Sequence, residues 1–245
     1  MAELTGRALI ITGASMGIGR ALALKLAGIG VNLVLNARHT PELETTAADC
    51  AGLGSKVRLV AGNAALPKIA VALVDEAQAL GSFYGFIHVA GLLHPGPLLW
   101  EMRPLAFKEV MDSHVAAAFQ LIRAAVPSLL RQGEGLAVFF GSGAAESFIS
   151  GIGAYCVAKA AEEHLARQLA VEAPAITSFV FRPDATETRM QRQARTSTGG
   201  GAENLRRIFG DYKERSRLAT PETAAQALVE ILTNNPRRFH GKIAY

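Results

Sequence analysis

Short runs of consecutive apolar residues alternate along this chain with longer stretches in which apolar positions recur at helical spacing. Ala8-Leu9-Ile10-Ile11 reads as a buried strand, and residues 17–27, with Leu22, Leu24 and Leu26, read as a helix. Strands follow at 31–35, 57–60, 86–89, 136–140 and 176–181. Helices are expected near 41–53, where Pro41 sits in the first turn, and at 67–80, 105–130, 155–172 and 221–232. Residues 242–245 could add an edge strand. Continuously apolar strands separated by helices of this length predict parallel β-α-β units with right-handed crossovers. The expected fold is therefore α/β: a doubly wound parallel sheet in three layers, αβα. No Pro/Ser-rich linker divides the chain, so residues 1–245 read as one domain. A long insertion follows the sixth strand, and Thr196-Ser197-Thr198-Gly199-Gly200-Gly201 reads as a flexible joint within it.

Composition narrows the setting. A chain of 245 residues, half of them hydrophobic, buries a sizeable core without a disulfide or metal staple. Cys50 and Cys156 are too few for a disulfide framework and suit a reducing cytosol, so a cytoplasmic protein is expected. The first residues, Met1 to Arg7, carry an acid at position 3 and lack an apolar targeting stretch. The longest uncharged run, 77–100, is broken by Gly81, Gly85, Gly91, Pro95, Gly96 and Pro97, so no membrane association is expected. Net charge is +4, yet residues 189–217 hold eight basic and three acidic side chains, a local +5 that leaves −1 elsewhere. With no recognisable binding motif, nucleic acid is not an expected partner.

The first strand runs into Thr12-Gly13-Ala14-Ser15-Met16-Gly17-Ile18-Gly19. Gly13 and Gly17 would let the backbone turn and approach a pyrophosphate, Gly19 would let helix pack on strand, and free N–H groups at the helix start would face phosphates. This strand–turn–helix context is that of a Rossmann-like dinucleotide site, with a glycine turn without ligand as the alternative. The second strand ends in Leu35-Asn36-Ala37-Arg38. No carboxylate stands there to take a ribose 2′-OH, and the Arg38 guanidinium suits a 2′-phosphate, so NADP(H) is preferred over NAD(H); a solvated surface arginine is the alternative. Tyr155 and Lys159, four residues apart, share a helical face, where the lysine charge would favour the phenolate and prepare Tyr155 for proton transfer.

The glycine motif, the Tyr155/Lys159 pair and Ser142, thirteen residues before the tyrosine, together resemble the short-chain dehydrogenase/reductase family over nearly the whole chain. Length, glycine spacing and Tyr–Lys spacing resemble its single-domain branch. The resemblance implies that Tyr155 is the general acid/base, that Ser142 polarises the carbonyl, and that Lys159 binds the nicotinamide ribose. It places Ser15, Met16 and Ile18 with the glycines at the phosphates, Ala90 and Gly91 beside adenosine, Thr188 at the carboxamide, and Pro183 and Thr186 along the same cleft. It also implies a substrate lid over about 186–218, and a homodimer or homotetramer formed through the helix ending near Leu130 and the Tyr155 helix.

Four positions depart from the family pattern. His88 stands in place of the first asparagine of Asn-Asn-Ala-Gly, and Asn63-Ala64 in place of Asp-Val beside adenine. His114 replaces the helix asparagine whose carbonyl serves the proton relay, and Asp184 replaces the glycine after Pro183, where a carboxylate near pyrophosphate is unfavourable. His88 and His114 lie in apolar runs and read as core histidines before titrating groups. His39, His94, His164 and His240 show no metal spacing, and Cys156 reads as a packing residue. The expected activity is NADPH-dependent reduction of a small-molecule carbonyl substrate. Candidates are a ketone, with the surroundings of Arg182-Pro183 and Met190-Gln191 resembling sepiapterin- and benzil-type reductases, or a 3-oxoacyl thioester drawn by the basic lid. The rival is a degenerate member acting as a cofactor sensor or interaction protein without turnover.

Overall fold

The computed structural model describes residues 4–38 and 40–245. The expectations for Met1-Ala2-Glu3 and for His39 lie outside these residues. Seven strands form one sheet: β1 (Ala8–Thr12), β2 (Asn32–Ala37), β3 (Val57–Ala61), β4 (Phe83–His88), β5 (Gly135–Phe140), β6 (Ile176–Phe181) and β7 (Ile243–Ala244). Their order is β3-β2-β1-β4-β5-β6-β7, and every pairing is parallel. The chain reverses its direction of winding between β1 and β4, which opens a crevice at the carboxyl ends of these two strands.

Alternation along the strands splits the core into two layers. Leu9, Ile11, Leu33, Leu35, Val138 and Phe179 turn to one side, against α1 (Gly17–Gly28), α2 (Thr40–Gly52) and α9 (Pro221–Asn234). Ile10, Val34, Phe86, Phe139 and Val180 turn to the other, against α3 (Pro67–Ala79), α5 (Ala117–Gln132) and α6 (Gly153–Glu172). This is the expected three-layer αβα arrangement. Strand β4 begins three residues before the expected 86. Gly85 is the reason: a side chain there would lie 1.8 Å from the carbonyl oxygen of Leu136 on β5, so a residue that reads as a breaker is a close-approach position inside the strand.

The long helix expected at 105–130 is three pieces: α4 (Pro104–Met111), one π-helical turn (Asp112–Ala116) and α5. The stretch Pro104–Gln132 is long and apolar enough to cross a membrane by length and composition. Its Ala118, Leu121, Ala125 and Leu129 are spent on the sheet, as in a core helix. After β6 come α7 (Arg189–Arg195) and α8 (Ala202–Glu214). The glycine run between them is not a loose joint. Gly201 N–H donates to the Gly96 carbonyl and Gly96 N–H to the Gly151 carbonyl, both at 2.8 Å. A side chain on Gly201 would lie 2.4 Å from the Gly151 backbone, and one on Gly96 2.0 Å from the Thr198 carbonyl oxygen.

Candidate active site

The glycine loop is built by close packing. Gly13 has φ +70°, and a Cβ there would meet the Ala90 backbone at 2.8 Å; one on Gly19 would meet the Gly13 carbonyl oxygen at 2.2 Å. The loop between Gly13 and Gly19 is thereby pressed onto Ala90 at the end of β4. Gly17, with φ +55°, differs: its missing side chain faces only the Thr188 methyl, at 3.7 Å, so it leaves a cradle at the start of α1. Ser15 is buried, Met16 occupies the N-cap without a side-chain bond, and the first turn from Gly17 and Ile18 holds no acid. Such a helix start suits an anion.

The end of β2 is shaped by Asn36, whose amide donates to the Val60 and Gly62 carbonyls at 2.8 and 3.1 Å. Arg38 follows the strand and is exposed. Asn63 spends its side-chain oxygen on the Ala65 N–H at 3.0 Å, closing a local turn, with Ala64 buried beside it.

Tyr155 and Lys159 lie on α6, with the Lys159 Nζ 5.7 Å from the phenol ring centre. Tyr155 is half-buried, whereas Lys159 is 4% exposed and donates to the Phe140 carbonyl at 2.6 Å and to Glu162 at 2.8 Å. Ser142 caps a 3₁₀ turn after β5: its Oγ accepts from Ala144 N–H at 3.2 Å, which leaves the hydroxyl proton to donate. Its own N–H is held by Glu163 at 3.1 Å.

The departures resolve in different ways. Among the described residues, only His94 and Ser216 have positive φ outside glycine, so Asp184 sits in ordinary backbone and needs no glycine there. Its side chain is exposed, and its carbonyl accepts from the buried Thr186 hydroxyl at 2.7 Å next to Pro183. Thr188 caps α7 above the glycine loop. His88 and His114 are both buried, and His114 forms the π turn: its ring packs against Gly91, where a Cβ would lie 2.3 Å away, and meets Tyr155 edge-on at 5.2 Å.

The sequence reading assigned no role to Glu162 or Glu163, and named Arg182 only for the family-like surroundings of Arg182-Pro183. Arg182, 6% exposed, binds both oxygens of Glu163 at 2.7 and 2.6 Å and reaches Glu146 at 2.7 Å. This fork ties the loop after β6 to the Ser142 turn. The signal for the two glutamates was the helical period, because residues 162 and 163 fall three and four positions after Lys159, on the stripe of Ala158 and Ala166.

Around Tyr155, α7 and α8 contribute Met190, Ala194, Leu205 and Phe209 to an apolar cluster with Leu93 and Ile152. Six of the eight basic side chains of this segment are engaged locally: Arg192 and Arg195 with Glu187, Arg215 and Arg217 with Asp211, Arg206 with the Ser197 carbonyl, and Arg207 with Asn204. An open pocket of about 500 Å³ lies beyond, lined by Asp184, Tyr212, Ser216 and Arg217, and includes none of Ser142, Tyr155 and Lys159. Among the described residues, no three His, Cys, Asp or Glu side chains are grouped as metal ligands.

The arrangement is that of a nicotinamide-dependent oxidoreductase, and comparison with known proteins agrees. A family model described as short chain dehydrogenase matches residues 7–199. The chain belongs to the short-chain dehydrogenase family. It is 29% identical to an uncharacterized oxidoreductase of Schizosaccharomyces pombe, over 99% of this chain and 97% of that one. It is also 29% identical to an NADPH-dependent pterin aldehyde reductase of Arabidopsis thaliana, over 68% of this chain and 69% of the relative. The crystal structure of a short chain dehydrogenase/reductase from Saccharomyces cerevisiae superposes with a TM-score of 0.86 at 24% identity, covering 97% of this chain and 94% of that one.

Proposed function

We propose that this oxidoreductase is an NADPH-dependent carbonyl reductase whose substrate is an aldehyde or ketone with an apolar body. The observation that carries the reading is Tyr155, half-buried against the apolar side chains of α7 and α8 and flanked by the Lys159 ammonium. The residues present fit the dinucleotide: Gly17 leaves a cradle at an acid-free helix start, and no carboxylate ends β2. Gly13 to Gly19 would hold the phosphates, Arg38 the 2′-phosphate, and Lys159 the nicotinamide ribose. The bound nicotinamide supplies the hydride. Tyr155 donates its hydroxyl proton to the substrate oxygen, and Ser142 hydrogen-bonds that oxygen with the proton that Ala144 leaves free. The local pairing of four of the five α7 and α8 arginines, Arg192, Arg195, Arg206 and Arg207, favours an apolar carbonyl over an acyl thioester. The pterin aldehyde reductase relative, named for NADPH, points the same way. A cytoplasmic setting and a homo-oligomer complete the reading; Cys50 and Cys156 are free thiols, and Phe107, Phe119 and Val157 are exposed on α4, α5 and α6.

Fluorescence titration with NADPH and NADH, followed by a panel of aldehydes and ketones, tests it. Tighter binding of NADPH, weakened in Arg38→Ala, and turnover lost in Tyr155→Phe with cofactor binding retained are expected. No binding of either cofactor overturns the reading. Binding without turnover across the panel makes the protein a cofactor sensor.

A further inference from the structure

Glu162 lies one helical turn beyond Lys159 and is fully buried. Its Oε2 accepts from Lys159 Nζ at 2.8 Å and lies 3.1 Å from His114 Nδ1. Its Oε1 has no partner and lies 3.9 Å from His88 Nε2, which has none either. Neighbouring bonds fix where the protons sit. Thr12 Oγ1 accepts from the N–H groups of Val89 and Ala90 at 3.2 and 3.3 Å, so its own proton goes to His88 Nδ1 at 2.8 Å. His88 then carries its ring proton on Nε2, facing the carboxylate. His114 Nε2 lies 3.1 Å from the Leu92 nitrogen and 3.0 Å from the Leu92 carbonyl oxygen, so the other side of the ring decides: the Glu162 carboxylate at Nδ1 can only accept, and the proton of the neutral ring sits on Nδ1 and donates to it. Two of the four departures from the family pattern therefore meet on one carboxylate.

We propose that Glu162 is a positioning residue for Lys159: its carboxylate, held by His114 and faced by His88, is the counter-ion that keeps the ammonium in place beside Tyr155. Its catalytic meaning rests on the carbonyl-reductase reading, but the ion pair is testable without cofactor. The groups facing the pair are His88 from β4, His114 from the π turn, and Tyr155 and Glu163 from α6. Arg182, at the end of β6, takes both oxygens of Glu163 and leaves Glu162 as the carboxylate for Lys159. Burial works to discharge Lys159, and Glu162, Tyr155 and Glu163 outweigh it, raising its pKa above the ordinary lysine value. Burial likewise opposes the Glu162 charge, and Lys159, His114 and His88 outweigh that. Burial first, with the Lys159 charge beside it, holds both imidazoles neutral near pH 7. The cluster thus carries one positive and one negative charge. Without the carboxylate, an ammonium at this depth is left with its desolvation uncompensated, and its proton is held less tightly.

The test is a pH titration of lysine ¹³Cε NMR signals in the full-length protein without cofactor. The Lys159 signal, identified by its loss in Lys159→Arg, is expected to remain that of an ammonium through the pH range in which an ordinary lysine titrates in the wild type. In Glu162→Gln it is expected to titrate at least one pH unit lower, a tenfold loss of proton affinity. An unchanged Lys159 titration in folded Glu162→Gln overturns the proposal. Should that variant not fold, imidazole ¹⁵N spectra of the wild type decide. Protons on His114 Nδ1 and His88 Nε2, with both rings neutral at pH 7, are expected; the opposite tautomer at His114, or a charged ring at pH 7, overturns it. In carbonyl reduction, Glu162→Gln is expected to move the alkaline limb of kcat/KM to lower pH, whereas a purely structural role would leave the limb in place. Wild-type protein that turns over no carbonyl counts against the reductase reading alone, since the NMR outcomes stand apart from it.

Discussion

Arg182 shows what a single buried charge does here. Its guanidinium is forked onto Glu163, and the same carboxylate holds the Ser142 N–H, so one ion pair fixes both the turn carrying Ser142 and the loop entering Pro183. Removing one partner of such a pair strands the other charge. Arg182→Met is therefore expected to destabilise the fold by about 3 kcal/mol, read from urea denaturation. Ser142, Tyr155 and Lys159 were legible in the sequence because their spacing is shared with a family. Glu162, Glu163 and Arg182 were not, because charged residues on a helix or after a strand read as solvated. The burial that makes them matter comes from β5, β6 and the π turn closing over them. The two histidines in place of asparagines carried the hint, since each needs a polar partner in an apolar setting.

Among the elements, the glycine loop and the α7–α8 pair depend on contacts too close for a side chain. Gly19→Ala would push a methyl into the Gly13 carbonyl, and NADPH binding measured by fluorescence is expected to weaken at least tenfold. Gly201→Ala would press on the Gly151 backbone and tilt α8 away from Tyr155. Its expected effect is a raised KM for the carbonyl with NADPH affinity within twofold of wild type. Element positions were largely readable, since continuous apolar runs mark strands buried on both faces. The π turn at Asp112–Ala116 was invisible, because its extra residue leaves the apolar period of the flanking helices almost unchanged. The tether of the glycine run to Gly96 and Gly151 was hidden too, because it joins positions far apart in the chain.

For the molecule as a whole, the buried histidines set a pH dependence. Burial lowers the His88 pKa from 6.5 to about 4 in the folded protein, so between these values the unfolded chain takes up a proton that the folded one refuses. Stability is then full above about pH 7 and falls as the pH drops towards 4, by as much as about 3 kcal/mol from this residue. Urea midpoints measured at pH 7, 5.5 and 4.5 are expected to fall in that order, with a shallower slope in His88→Asn. The surface makes its own prediction. Phe107, Phe119 and Val157 lie exposed on α4, α5 and α6, and sedimentation is expected to show a homodimer or homotetramer that Phe119→Glu weakens.

The three-point contact of Gly96, Gly151 and Gly201 also bears on redesign. Residues 199–201 look like natural places to insert or randomise when a different substrate is wanted, yet they are the rivets of the wall above Tyr155. Libraries aimed at a new substrate range belong instead at Met190, Leu205 and Phe209, whose side chains form that wall and can change size without loosening it.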